Sequence, residues 1–333
     1  MNVNNWIENI IQSPMRYAIP IMTHPGIELL RKTVKGAVQN GEIHAQAIKA
    51  LSDKYPSKAS TVIMDLTVEA EAFGCKISFP ENDMPHVIGN LVDASNVETL
   101  EVPSLTAGRV PQYLKANRLA AEMISDRPVF AGAIGPFSLA GRLFGMSEIM
   151  ISCYLETEIV ELLLEKCTQF LLSYCIELKQ TGCGGIIIAE PAAGLLSNDD
   201  CMQFSSVYVK QIIEAVQDEQ FMIVLHNCGN TGQCTNAMLH TKAKAYHFGN
   251  AINMVQTLEQ CPDDVLVMGN INPVGILQMM TPTEVESQTE SLLEDTARFS
   301  NFVLSTGCDV PPNVDTKNIQ AFYNALSKYN QKH

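Results

Sequence analysis

The sequence has 333 residues, of which 46% are hydrophobic and 17% charged, so it can bury a large core and is not expected to be disordered. Its formal net charge of −14 argues against nucleic acid as a partner, because phosphate binding requires clustered Lys and Arg side chains. Residues 1–8 lack the features of a secretory signal, and the longest apolar stretches, such as residues 184–189, are too short to cross a bilayer. We therefore expect a cytoplasmic protein without membrane contacts, whose ten cysteines stay reduced.

Short apolar runs alternate with helical patterns along the chain. The runs predict buried strands at residues 18–22, 61–64, 129–134, 185–188, 221–225, 245–248, 265–268 and 302–304. The clearest helical patterns cover residues 147–180, 198–217, 282–299 and 315–327. This alternation predicts a parallel sheet, and eight units favour a closed (β/α)8 TIM barrel over an open doubly wound sheet, although the count alone does not separate the two. We expect a single domain over residues 1–333, with residues 1–17 as an N-terminal helical extension.

Polar and special residues follow the predicted strands directly. They are Glu190-Pro191, residues 226–230, Gly249-Asn250, Gly269-Asn270 and residues 307–309. In a parallel barrel all of these positions lie on the carboxyl-terminal rim, which is where such barrels carry their active sites. The sequence therefore predicts an active site on that rim.

Three of these rim residues form a candidate metal site. His226 and Cys228 are two positions apart at a strand end, so their side chains point to the same face, and Cys308 follows the last predicted strand. One imidazole and two thiolates suit zinc, and three protein ligands leave the open fourth position of a catalytic site. By itself the pattern is weak, because the chain has many cysteines and most of them are expected in the core.

Five segments carry a family resemblance. They are DLTVEAEAFG (65–74), GPFSLAG (135–141), HNCGN (226–230), GNINP (269–273) and GCDVPP (307–312). These segments resemble the uroporphyrinogen decarboxylase superfamily, and within it the branch of methylcobamide:coenzyme M methyltransferases and related corrinoid methyltransferases. The resemblance runs from about residue 19 to residue 326.

The resemblance implies a (β/α)8 barrel that holds zinc through His226, Cys228 and Cys308 and transfers a methyl group between a methylated corrinoid and a thiol such as coenzyme M. The corrinoid is expected on a partner protein, because the chain has no Asp-x-His-x-x-Gly motif of a cobalamin-binding module. The sequence departs from relatives at Asn272, where Asp is frequent, and at Glu190-Pro191, where Asp-Pro is common.

Further roles are expected under this resemblance. Glu190 is the candidate catalytic residue, either as a displaceable fourth ligand or proton acceptor, or as a hydrogen-bond partner that orients an imidazole. For Asn250 and Asn270 we expect contacts with substrate or corrinoid, with a turn role as the alternative. His24 and Tyr17 are expected to line the barrel mouth. A further histidine, at position 247, lies inside a predicted strand and is expected in the core or behind the site.

Other functions remain open at this point. A uroporphyrinogen decarboxylase-like activity is disfavoured for two reasons. The segment after the first predicted strand has no arginine before Arg31 that could bind a carboxylate-rich substrate, and the decarboxylase pattern has His where Cys308 stands. Asp65 resembles that family's acidic position but is equally typical of a helix cap. Tetrahydrofolate as the second substrate ranks below a thiol, and a non-enzymatic docking role for corrinoid proteins is the third alternative.

Overall fold

The computed structural model describes residues 2–333, so Met1 of the predicted extension lies outside the described residues. The strands are β1 Ser60–Thr61, β2 Lys76–Ser78, β3 His86–Ile88, β4 Val129–Ile134, β5 Gly185–Ala189, β6 Met222–Asn227, β7 Ala245–Phe248, β8 Leu266–Ile271 and β9 Phe302–Thr306. The helices in the first half are α1 Val3–Ile11, α2 His24–Leu29, α3 Val34–Gln39, α4 Gly41–Lys54, α5 Val68–Phe73, α6 Val110–Met123, α7 Pro136–Phe144, α8 Met146–Leu155 and α9 Thr157–Gln180. Those in the second half are α10 Asn198–Cys201, α11 Val207–Val216, α12 Thr235–His240, α13 Met254–Leu258, α14 Pro282–Asp295 and α15 Thr316–Lys332.

Seven strands form a curled parallel sheet in the order β1-β4-β5-β6-β7-β8-β9, and β2 and β3 form a separate antiparallel pair. Helices connect the parallel strands, as the alternating pattern predicted. Because every strand of this sheet runs in the same direction, all strand carboxyl ends meet on one side.

The run predicted as the first strand, residues 18–22, is buried but pairs with the sheet through a single bridge, Ala18 to Leu304. Pro20 has no N–H to donate to a ladder. The N–H groups of Ile21 and Met22 donate to the hydroxyls of threonines on the flanking strands rather than to strand carbonyls. The segment therefore lies between β9 and β1 with few backbone hydrogen bonds.

The predicted helix over residues 147–180 is two helices, α8 and α9. Glu156 adopts φ −142° and ψ 49°, which breaks the helical path. Glu156 N still donates to Ser152 O as in a helix, whereas Cys153 O accepts from the side-chain hydroxyl Thr157 Oγ1. Within residues 2–333, none of the helices is long and apolar enough to cross a membrane.

Alternate residues of the strands pack on opposite sides of the sheet. Ile187 belongs to an inner apolar cluster, whereas Ile186 and Ile188 belong to the larger cluster beneath the helices. Helix α1 adds Val3, Ile7 and Ile10 to the inner cluster. Trp6 of the same helix contacts Phe130 of β4 edge to face, with ring centroids 5.8 Å apart. The extension thus covers the amino-terminal end of the sheet, and the opposite rim remains for the site.

Candidate metal centre

The three predicted ligands come together at the carboxyl-terminal rim. His226 is the penultimate residue of β6, Cys228 follows that strand, and Cys308 lies two residues beyond the end of β9. One ligand atom from each residue lies within 4.8 Å of the other two. Tetrahedral zinc with bonds of about 2.0–2.3 Å brings its ligand atoms to within roughly 3.5 Å of one another. A small closure of this triad is therefore enough to hold such an ion.

Burial and charge at the triad also suit a metal. His226 is buried and the two cysteines are half-buried, so the site is accessible from one side. A hydrogen bond from the Cys308 thiol lowers the pKa of Cys228, although burial opposes the shift. The same contact, with burial, raises the pKa of Cys308, and His226 opposes it. Zinc binding requires both sulfurs to be deprotonated, so the uptake of a divalent ion at this triad would release protons.

Close backbone packing places the two cysteines. A Cβ added to Gly249, in the turn after β7, would lie 2.7 Å from Cys228 Cα. A Cβ added to Gly307 would lie 2.6 Å from the backbone nitrogen of Asn250. The turns after β6, β7 and β9 can approach one another only because these two positions are glycine.

A second histidine supports the first. His247 of β7 pairs in register with His226, and their Nδ1 atoms lie 2.8 Å apart. The Nε2 atom of His247 lies 2.8 Å from Ser305 Oγ, which donates to Ile19 O at 2.7 Å. Burial, followed by the neighbouring His226, lowers the pKa of His247 well below its ordinary value. The sequence placed His247 in the core or behind the site but gave no sign of Ser305.

Glu190 is buried directly after β5, and its backbone N–H donates to His226 O. Its carboxylate accepts from the N–H groups of Phe137 and Ser138 at the start of α7, both at 2.8 Å, and from Ser205 Oγ at 2.9 Å. Burial raises the pKa of Glu190, and these three donors oppose the shift. The carboxylate is thus held by a helix start and a hydroxyl rather than by an imidazole.

His24 lies beside the turn that carries Cys308. Its Nδ1 lies 3.0 Å from Val310 O and 3.6 Å from Asp309 Oδ2, and its Nε2 lies 3.0 Å from Met84 Sδ. Burial lowers the pKa of His24, but the charge of Asp309, together with hydrogen bonding to Asp309 and Val310, outweighs it and the net shift is upward. The structure therefore brings His24 to the predicted rim.

The two predicted asparagines lie together in a rim pocket of about 470 Å³, which Asn272 and Met280 also line. Asn250 is exposed, whereas the Nδ2 of Asn270 donates to Gly249 O at 3.0 Å and to Ile252 O at 2.9 Å. The Asn270 amide therefore holds the turn after β7, which carries one of the close glycine contacts. These two hydrogen bonds correspond to the turn role, which was the alternative expectation for Asn270.

Tyr17 does not reach the rim, so the expectation that it lines the mouth is wrong. It precedes residues 18–22, and its carbonyl accepts from Leu304 N. Its hydroxyl lies 3.1 Å from Ser13 Oγ, and Lys58 Nζ lies 4.2 Å from the ring centroid. Because residues 18–22 run parallel to β9, a residue before them lies at the amino-terminal end of the sheet.

Comparison with known proteins identifies the family. The profile described as "Uroporphyrinogen decarboxylase (URO-D)" matches residues 7–329. The chain belongs to this family. A methylcobamide:CoM methyltransferase MtbA of Methanosarcina mazei is 28% identical over 280 residues, covering 82% of this chain and 80% of that protein. A uroporphyrinogen decarboxylase of Legionella pneumophila is 23% identical over 295 residues, covering 86% and 83%.

Solved structures share the family's fold. A methyltransferase from Methanosarcina mazei matches with a TM-score of 0.88 at 21% identity and covers 99% of both chains. A B12-independent methionine synthase from Shewanella matches with a TM-score of 0.54 at 15% identity, covering 87% of each chain. At these identities the likeness concerns the fold.

One buried charged cluster in this protein was not predicted from the sequence. Arg109, before α6, donates to the carboxylates of Asp65 and Glu71 and to Thr67 Oγ1. Asp65 accepts in addition from Tyr113 Oη at 2.8 Å, and all but Glu71 are buried. The guanidinium is therefore already neutralised by the chain's own acids. Its distance of 44 positions from Asp65 left no local signal in the sequence.

Proposed function

We propose that the protein is a zinc-dependent methyltransferase that moves a methyl group between a methylated corrinoid, carried by a partner protein, and a thiol such as coenzyme M. The observation that carries the proposal is the convergence of His226, Cys228 and Cys308 within 4.8 Å at the rim. The relatives named methylcobamide:CoM methyltransferase, which match about four fifths of the chain, support it.

The donor set fits zinc, since one imidazole nitrogen and two sulfurs leave a tetrahedral position open. A zinc ion held there supplies a Lewis acid that lowers the pKa of a thiol bound beside it, so that its sulfur is nucleophilic at neutral pH. In the transfer one S–C bond forms and one Co–C bond breaks. The electron pair of the Co–C bond stays on cobalt, which goes from Co(III) to Co(I), and the thiol proton passes to solvent.

The roles of the surrounding residues follow from their contacts. His24 is buried beside Asp309, next to the turn that carries Cys308, and Asn250 is exposed and free to contact substrate or corrinoid. That Glu190 supplies a displaceable ligand or accepts a proton stays a prediction. To reach a metal its carboxylate must first release three hydrogen bonds.

A decarboxylase-like activity fits less well. Arg109, the buried arginine among residues 2–333, is paired with Asp65 and Glu71, so a carboxylate-rich substrate finds no free guanidinium in this cluster. Asp65 already accepts four hydrogen bonds, which leaves it poorly placed to bind a substrate. Tetrahydrofolate remains the second candidate acceptor, with nitrogen in place of sulfur as the nucleophile.

The partner protein requires a docking surface around the site. Tyr154, Leu155 and Leu195, the rim patch, have 67%, 76% and 60% of their surface exposed and lie in the connections after β4 and β5. The Tyr154 hydroxyl donates to Asp200 at 2.7 Å, which joins the end of α8 to the segment after Leu195. Exposed apolar side chains grouped in this way are typical of protein interfaces. We propose that the corrinoid protein docks on the rim patch.

We also propose that residues 18–22 close the sheet into an eight-stranded barrel comprising the single domain 1–333. Ile19 N donates to Leu304 O, and Lys58 N donates to Ala18 O, so this segment bonds to the chain on both sides. A cytoplasmic location fits the ten free cysteines.

Metal content tests the proposal. We expect about one zinc per chain in the purified wild type, and loss of most of it in Cys308→Ser. The control Cys261→Ser, which changes a buried cysteine outside the triad, should retain the metal. The zinc protein should demethylate methylcobalamin in the presence of coenzyme M, seen as a change in the cobalamin spectrum. A wild type that takes up no metal even when zinc is added would contradict the proposal.

A further inference from the structure

A chain of hydrogen bonds leads from the candidate metal ligand to the backbone of residues 18–22. It runs from His226 Nδ1 to His247 Nδ1 at 2.8 Å, and from His247 Nε2 to Ser305 Oγ at 2.8 Å. It ends at Ile19 O, which accepts from Ser305 Oγ at 2.7 Å. All four residues are buried, so solvent does not compete for these contacts.

The last acceptor sets the direction of the whole chain. A backbone carbonyl oxygen can only accept, so Ser305 gives its one hydroxyl proton to Ile19 O. Ser305 Oγ must then accept from His247 Nε2–H. A neutral imidazole carries one N–H, which leaves His247 Nδ1 as an acceptor. The proton between the two rings therefore belongs to His226 Nδ1.

Two further observations agree with this direction. His226 Nδ1 also lies 3.3 Å from the carbonyl oxygen of His247, a second group that can only accept. His247 is fully buried, and its side-chain partners among residues 2–333 are His226 and Ser305, neither of which is anionic. A buried imidazole without a charged partner is neutral, as the argument requires.

We propose that Ser305 and His247 are positioning residues that fix the tautomer of His226. With the proton on Nδ1, the other nitrogen, Nε2, presents its lone pair to Cys228 and Cys308. The opposite tautomer would direct an N–H at the metal and could not bind it. The inference rests on the proposed metal site, but the tautomer is a property of the metal-free protein and can be measured there.

The test uses nitrogen NMR on metal-free protein with ¹⁵N-labelled histidine. Seven histidines keep the spectrum simple, and His226→Asn and His247→Asn variants assign the two resonance pairs. We expect an Nδ1–H signal for His226 and an Nε2–H signal for His247. In Ser305→Ala the direction is no longer set, so the opposite tautomer of His226 should become populated. Zinc affinity, from competition with a chelator, should fall about 10- to 100-fold.

Thr61→Val is the matched control. Thr61 Oγ1 is also buried and also donates to the 18–22 segment, at Pro20 O, but it contacts neither histidine. If Ser305 acted only by tethering that segment, both variants would lose zinc affinity alike, which would overturn the inference. A wild-type His226 protonated at Nε2 would overturn it without any variant, even if Ser305→Ala did not fold. A wild type that binds zinc with the expected tautomers but transfers no methyl group would support the inference and refute the proposed reaction.

Discussion

At the scale of single residues, Glu69 of α5 is a buried acid outside the metal centre. Its Oε1 accepts from Ile134 N at 3.0 Å, whereas Oε2 and the nearby Tyr174 hydroxyl have no hydrogen-bond partner within residues 2–333. Burial raises the pKa of Glu69 from an ordinary 4.5 to about 7. The folded state thus holds this proton more tightly than the unfolded chain does. Stability is highest while the group is protonated and is lost as the pH rises from about 4.5 through 7.

Glu69→Gln should remove this pH dependence. The amide keeps an acceptor for Ile134 N and is never charged, so it avoids a penalty of order 3 kcal/mol at high pH. We expect the free energy of unfolding at pH 8 to rise by about 1–3 kcal/mol and to change little at pH 5. Urea unfolding at pH 5 and at pH 8 measures the free energy of unfolding, and Glu122→Gln, at an exposed position, is the control. An equal effect at both values would show that Glu69 does not bind a proton in this range.

The three candidate metal ligands were predictable residue by residue, whereas the residues that support them were not. His226 and Cys228 form a local pattern at a strand end, and Cys308 lies beside a glycine at another; this pattern suggested the group, and the family resemblance strengthened it. Ser305 lies within the apolar run FVLST, where a small polar residue is ordinary. Its role depends on register with β7 and on the path of residues 18–22. Glu190 was expected to act as a ligand or proton acceptor or to orient an imidazole, and the sequence did not predict its three donors, which come from α7 and from the segment before α11.

At the scale of elements, the apolar runs predicted the parallel strands because both faces of such a sheet are buried. The sequence patterns did not predict the structure of two segments, in which the backbone hydrogen bonds differ from those of a regular strand or helix. Pro20 removes a ladder donor, so the first run is held mainly by side chains, and the helical pattern of residues 147–180 gives no sign of the break at Glu156. Hydrophobic periodicity predicts which residues are buried, but it does not predict which backbone N–H donates to which acceptor.

Gly249→Ala tests how closely the strand-end turns must pack. The new Cβ would lie 2.7 Å from both the Cα and the carbonyl oxygen of Cys228, which are backbone atoms that cannot rotate away. We expect zinc affinity to fall at least tenfold and stability to fall by about 1–3 kcal/mol. Chelator competition and urea unfolding measure the two effects.

Gly36→Ala is the control for this substitution. Gly36 lies in α3, and its added Cβ would meet two side-chain atoms, the hydroxyl oxygen of Thr33 at 3.2 Å and Cδ1 of Ile43 at 4.0 Å. Zinc affinity should be unchanged, and stability unchanged or slightly higher, because alanine favours a helix. Equal zinc affinity in both variants would mean that the turn after β7 does not position Cys228.

At the scale of the whole molecule, the two ends of the sheet differ. Helix α1 packs its apolar face onto the inner cluster at the amino-terminal end, and the rim carries the candidate metal ligands and exposed apolar side chains. The position of the polar residues after the predicted strands indicated which end is expected to carry the active site. It did not predict the rim patch, because Tyr154 and Leu155 lie in an apolar helix whose sequence resembles that of buried helices.

The rim patch should matter only for a protein-borne methyl donor. In Leu155→Asp combined with Leu195→Asp, two charges replace the two leucines of the patch, and a partner would have to desolvate them on docking. We expect kcat/KM with the methylated corrinoid protein to fall at least tenfold, because two unpaired interface charges cost more than about 1.4 kcal/mol. With free methylcobalamin, which needs no docking, the rate should be unchanged.

Ile176→Asp is the matched control, since Ile176 is 43% exposed near the far end of α9. Equal losses with both donors would place the rim patch within the methyl-transfer site, and no loss with either would exclude it as the docking surface.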